Sequence, residues 1–170
     1  MMKKIFVSFL FCLFGGTAMA QSGYKAFADV GLSAVFLNGE NVVTGSLASS
    51  HGYQFGRGFV GAGLGLNFMT SVESIGAIYL PLFGQARVNF QATGIKPYLD
   101  FKGGYTFGDI EGGFIEPSMG VSFPVARRLA INFGFAYRMN MIKVERIGYY
   151  GSYTEHENMH SIALKFGFEF

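Results

Sequence analysis

Beyond residue 20, apolar and polar positions alternate with a period of two along most of the chain. The first such run puts Tyr24, Ala26, Ala28, Val30, Leu32, Ala34 and Phe36 on one parity and Lys25, Phe27, Asp29, Gly31 and Ser33 on the other. This period predicts a strand with one greasy face, and Asn38-Gly39 predicts the turn that ends it. The pattern recurs to give eight segments in all. Val60 to Phe68, Ile78 to Phe90, Leu99 to Phe107, Ile115 to Phe123, Leu129 to Met139 and Ile162 to Phe170 each set apolar residues against Gly, Ser, Asn or charged ones. The second segment, 42–55, is less regular: Ser49 and His51 share a parity with Leu47, Tyr53 and Phe55, and a bulge or a polar end would account for it. Pro117 lacks a ladder donor and predicts local irregularity. Gly61-x-Gly63-x-Gly65 lies within a strand pattern with no helix after it, so it reads as a crowded inward face and not as a phosphate loop.

Alternation does not say which face is inside. The polar face is rich in Gly and Ser, which suits a narrow lumen. The apolar face carries almost no charge, and the segments are long enough to cross a bilayer at a tilt, which takes about 9–11 residues. Hydrocarbon tolerates strands only in a closed barrel, where every backbone group is paired. The fold expected is therefore all-β, an eight-stranded antiparallel up-and-down transmembrane β-barrel, with a soluble secreted barrel as the alternative.

Residues 1–20 read as a cleaved signal peptide, with 21–170 as the barrel domain. Lys3 and Lys4 form the positive start, Ile5 to Phe14 the apolar stretch and Ala18-Met19-Ala20 the small-x-small cleavage site. Cys12, the single cysteine, lies within this segment, so the mature chain is expected to have no disulfide or cysteine metal site. Of the 13 basic residues, Lys3 and Lys4 are then lost, and 11 remain against 11 acidic ones. Such a balance excludes nucleic acid as a partner. No cofactor or metal is expected.

Lys25, Asp29, Arg87, Asp100, Lys102, Glu116, Arg138, Lys165 and Glu169 all fall on the inward parity. An eight-stranded barrel is just wide enough to be filled by side chains, and charges in so confined a space persist when paired. A network of cross-barrel ion pairs follows, with Arg87 expected to neutralise a carboxylate. Surface loops are expected near 38–42, 70–76, 108–112 and 142–157, with turns on the opposite side near 56–58, 91–95 and 124–128. The 142–157 loop carries Tyr149, Tyr150 and Tyr153, candidate contact residues for an extracellular partner.

An enzyme is not expected. A nucleophilic serine needs a histidine within reach and a group to orient it. Ser50–His51 and His160–Ser161 are adjacent and point to opposite faces, while Ser49 and His51 share a face but have no acidic residue in their hairpin.

The signal, the eight segments and the closing Phe166-Gly167-Phe168-Glu169-Phe170 resemble small bacterial outer-membrane β-barrels of the outer-membrane protein A and X kind. Gly52-Tyr53-Gln54-Phe55, the glycine-rich third segment and Phe83-x-x-x-Arg87 are similar to barrel domains from Bacteroidetes-type bacteria. The resemblance implies residence in a Gram-negative outer membrane, contact with outer-membrane lipids, and an assembly signal at Phe166, Phe168 and Phe170 read by the barrel-assembly machinery. With no Trp in the chain, Phe and Tyr must supply the aromatic belts. The function expected is a structural or adhesion-like surface role with a filled lumen. The alternatives are a narrow channel for ions or small solutes and, third, a lipid-modifying enzyme.

Overall fold

A computed structural model describes residues 23–170 apart from 38–39, 72–73, 91–93 and 149–150, with the side chains of 37–41, 71–75 and 143–157 also left undescribed. The signal-peptide segment, 1–20, lies outside the described residues. Eight strands follow one another: β1 (Tyr24–Leu37), β2 (Glu40–Phe55), β3 (Gly58–Ser71), β4 (Ser74–Asn89), β5 (Lys96–Gly108), β6 (Gly112–Ala126), β7 (Leu129–Gly148) and β8 (Gly151–Glu169). Each pairs antiparallel with its neighbours, and β8 returns to β1 from Phe27↔Glu169 to Phe36↔His160, closing the barrel.

Alternation becomes two surfaces. Leu32, Phe135 and Met119 are each more than 60% exposed on the outside, at 64%, 62% and 61%. They belong to a continuous apolar band that includes Val30, Leu82, Leu99, Phe101, Phe133, Ile162 and Leu164. A surface this apolar is matched by hydrocarbon, and a ring of strands has no unpaired edge to expose there. Inside lie the buried polar residues other than Ser49, and six aromatic side chains, Phe27, Phe59, Tyr79, Phe83, Tyr98 and Phe114.

Two tight turns and the closing residues define one end, the near end. Gly56-Arg57 joins β2 to β3, with Gly56 in the left-handed region at φ 57° and Phe55 paired with Gly58. Arg127-Arg128 joins β6 to β7 after a register shift between Pro124 and Ala126. At this end Ala26 and Phe170 exchange backbone hydrogen bonds of 3.2 and 2.9 Å.

Three local expectations change. β2 pairs with β1 without a break from Tyr24↔Tyr53 to Leu37↔Glu40, so no bulge displaces Ser49 and His51, which face outward. The β6–β7 ladder passes from Ile115↔Met139 to Ser118↔Ala136, leaving Glu116 and Pro117 out of it while the register holds. The 142–157 segment is not a loop. Its backbone continues both strands up to Gly148↔Gly151. β6 stops pairing with β7 at Ile142 and β1 stops pairing with β8 at His160, so among the described residues 143–148 and 151–156 pair only with each other. They form a two-stranded ribbon standing beyond the barrel at the far end. Hairpin hydrogen bonds need no apolar face, which is why hydropathy alone reads this stretch as loop.

Candidate functional site

The lumen gathers all nine charged residues read from the inward parity. Lys102 donates to Asp29 at 2.7 Å. Glu116 accepts from Arg138 at 2.5 Å and from Lys165 through its other oxygen. Lys25 pairs with Glu169 towards the near end. Glu116 and Lys102 are each only 2% exposed. Asp29–Lys102 crosses the lumen from β1 to β5, while Glu116 links β6 to its neighbour β7 and to β8 beyond it.

Two residues depart from the ion-pair expectation. Asp100 takes both hydrogen bonds from the Gln85 amide, at 3.0 Å each, and Gln85 in turn accepts from Ser50. Among the described residues, Arg87 forms no ion pair with a carboxylate. Its guanidinium lies over the Tyr98 ring at 3.5 Å and the Phe27 ring at 4.8 Å, and it donates to Asn132 at 3.0 Å and Asn89 at 3.2 Å. A planar cation suits two ring faces better than a point charge does, so its stabilisation comes from π-density and amide oxygens. Lys102 over Phe83 (4.9 Å) and Arg138 over Phe114 (4.8 Å) repeat the motif. The sequence signal for it is the sharing of one parity by aromatic and charged residues.

Inward glycines make room for these rings. A Cβ on Gly61 would sit 2.6 Å from Phe59 Cζ, one on Gly63 2.6 Å from Phe83 Cζ, and one on Gly120 2.6 Å from the Tyr98 hydroxyl. The Gly61-x-Gly63 pattern is thus the imprint of lumen aromatics, Phe59 on the same strand and Phe83 on β4.

On the outside, Ser49 Oγ lies 3.1 Å from His51 Nε2, and the Tyr24 hydroxyl lies 2.7 Å from His51 Nδ1. Sequence reading found the first pair and missed Tyr24, which reaches diagonally across from β1. Tyr137 and His160 repeat the Tyr–His contact at 2.6 Å towards the far end. Ser49 itself is 7% exposed. Phe166, Phe168 and Phe170 follow one another along β8 and its last residue, edge-to-face at 5.1 Å and tilted at 6.4 Å between ring centroids, and Phe166 also meets Phe133 at 5.1 Å. Tyr149 and Tyr150 lie outside the described residues, and Tyr153 is placed by its backbone alone, opposite Arg146 in the ribbon.

No protein-family model matches this chain, and no curated protein does. Solved structures do. Neisserial surface protein A is 16% identical, with 87% of this chain and 96% of that one covered at a TM-score of 0.69. The outer membrane protein AlkL in lipid bilayers is 11% identical over 88% and 90%, at 0.55. OprG from Pseudomonas aeruginosa is 11% identical over 88% and 97%, at 0.52. The fold is that of the small outer-membrane β-barrels. At these identities the likeness speaks for architecture, and the lumen and rim chemistry must be read from this chain itself.

Among the described residues, no group of three or more His, Cys, Asp or Glu is placed to hold a metal ion. Inside the barrel, four carboxylates and five cations are held by one another, by amides and by rings.

Proposed function

We propose that the protein is an integral outer-membrane barrel whose lumen is closed by its own side chains, acting at the cell surface through the β7–β8 ribbon. The observation that carries this is the ribbon: 143–148 and 151–156 extend past the barrel, paired with each other and, among the described residues, with no other strand. Free ribbon edges offer unpaired backbone donors and acceptors to an incoming strand or surface. A two-stranded hairpin is marginally stable by itself in water, so a docking partner would add order to it. The near end, with its tight turns, then faces the periplasm, because long projections of such barrels lie outside the cell. Support for the compartment comes from neighbours described as a surface protein and as outer membrane proteins. The assembly role read for Phe166, Phe168 and Phe170 fits their aromatic ladder, half-buried at Phe166 and exposed at Phe168 and Phe170.

A closed lumen argues against the channel reading. The hydrolytic reading is disfavoured by Ser49, whose side chain is covered, and by His51, whose second ring nitrogen meets the Tyr24 phenol and not a carboxylate.

Two measurements test the proposal. In planar bilayers the refolded barrel should give no steady current; a reproducible conductance that shifts in Arg87→Ala would establish a permeation path instead. Replacing 144–155 by an Asn-Gly turn should leave a folded, heat-resistant barrel and abolish attachment of expressing cells to surfaces the wild type binds. Equal attachment by both would remove the ribbon from the role.

A further inference from the structure

The charges outside the lumen network are sorted by end. At the near end stand Arg57, Lys96, Arg127 and Arg128, all exposed, with Lys25 beside them. The acidic side chain described there is Glu169, which is buried and paired with Lys25. At the far end the described charges outside the lumen are Asp109 and Glu111, both exposed. Along the sequence, the far-end segments hold Glu40, Glu73, Glu145, Glu155 and Glu157 against Lys143 and Arg146. A chain that is neutral after loss of Lys3 and Lys4 is therefore strongly polarised along the barrel axis.

The basic residues are also set at a particular depth. Arg57 and the Arg127-Arg128 pair occupy two-residue turns, and Lys96 opens β5. Each lies within two residues of an exposed apolar side chain of the outer band: Phe55 beside Arg57, Ile95 beside Lys96 and Val125 before Arg127. Side chains this close to the edge of the apolar band lie among lipid headgroups. A basic surface meant for a soluble polyanion would need to stand further into the water. Lys25, Gln54, Arg57, Asn89 and Lys96 also line a recess of about 260 Å³ at the near mouth, which can admit a phosphate from beside the rim.

We propose that this near rim is a docking surface for anionic phospholipid headgroups of the phosphatidylglycerol class, held in the leaflet on the near side. The inference rests on the bilayer-spanning reading above and adds a headgroup preference to it. Basic residues at an anionic membrane surface attract it individually, by about fivefold in local concentration for each.

The test uses the full barrel refolded into phosphatidylcholine vesicles containing a minor share of phosphatidylglycerol, then extracted in mild detergent with its bound lipid measured by mass spectrometry. The wild type should retain phosphatidylglycerol about fivefold above its share in the vesicle, and the enrichment should fall as salt is raised. Lys96→Gln/Arg127→Gln/Arg128→Gln should return it to the vesicle ratio, while Asp109→Asn/Glu111→Gln should not lower it. If the triple variant fails to fold, Arg127→Gln/Arg128→Gln and the salt dependence of the wild type carry the test. Unchanged enrichment in the folded variant, or none in the wild type, would overturn the headgroup preference. Loss of enrichment on adding soluble glycerol phosphate would move the ligand from lipid to free phosphate and overturn it too. A barrel that does not enter the vesicle would instead overturn the bilayer reading.

Discussion

Glu116 carries the largest share of the lumen's charge pairing, since two cations from two strands converge on it in a site only 2% exposed. Glu116→Gln leaves Arg138 and Lys165 facing an amide. Breaking a buried pair by removing one partner costs about 3–5 kcal/mol, and two cations are stranded here, so the loss should lie at the upper end. Urea unfolding of the refolded barrel in lipid would read it, and a loss under about 1 kcal/mol would show that water already compensates these charges. Arg87 should behave differently. Arg87→Lys retains the charge but loses the flat stack on Tyr98 at 3.5 Å and the fork that reaches both Asn89 and Asn132, at about 1–2 kcal/mol. At this scale the sequence tells which face a residue occupies but not what it meets. Parity alone puts Arg87 inside; its partners are fixed by register and tilt, which bring Phe27, Tyr98 and Asn132 to it from three other strands. For the same reason Tyr24 is invisible beside His51 in a reading of one hairpin at a time.

Whole strands are legible because a half-lipid, half-lumen environment imposes period two on every residue that passes through it. The pattern fails where that environment ends. The 143–157 stretch has no greasy face, yet its backbone remains in strand pairing, because hairpin hydrogen bonds continue regardless of what the side chains face. Within the barrel, glycine placement is governed by the strand next door. Gly63→Ala should cost about 1–3 kcal/mol, since its Cβ would meet the Ser49 backbone oxygen at 2.4 Å and Phe83 Cζ at 2.6 Å. Gly45→Ala is the control on β2: its Cβ meets nothing within 4 Å, and a strand gains from losing a glycine, so stability should hold or rise. Equal losses at the two positions, measured by the same unfolding assay, would mean that backbone strain and not ring packing sets the cost.

At the scale of the molecule, the barrel is held shut by the pairing of its first and last strands, and that pairing has few residues to spare at the near end. Deleting 167–170 removes the Asp29↔Gly167, Ala28↔Phe168 and Phe27↔Glu169 register, both Ala26–Phe170 hydrogen bonds and the Lys25–Glu169 pair. The remaining β1–β8 contacts, from Val30↔Phe166 to Phe36↔His160, lie towards the far end, so the near side would open as a pair of strand edges facing hydrocarbon. Each unpaired backbone group there costs several kcal/mol, more than the marginal stability of a small domain can absorb when several are freed together. The truncated chain should therefore lose the compact form that resists heating in detergent, seen as loss of the mobility difference between unheated and boiled samples. Phe170→Ala should keep that form, because the ring is half exposed on the outer band while the backbone bonds of residue 170 remain. A truncated chain that still runs as the compact form would show that the far-end ladder and the central charge network suffice for closure. The opposite pair of results, with Phe170→Ala also failing, would place the ring itself in assembly and not merely in the belt.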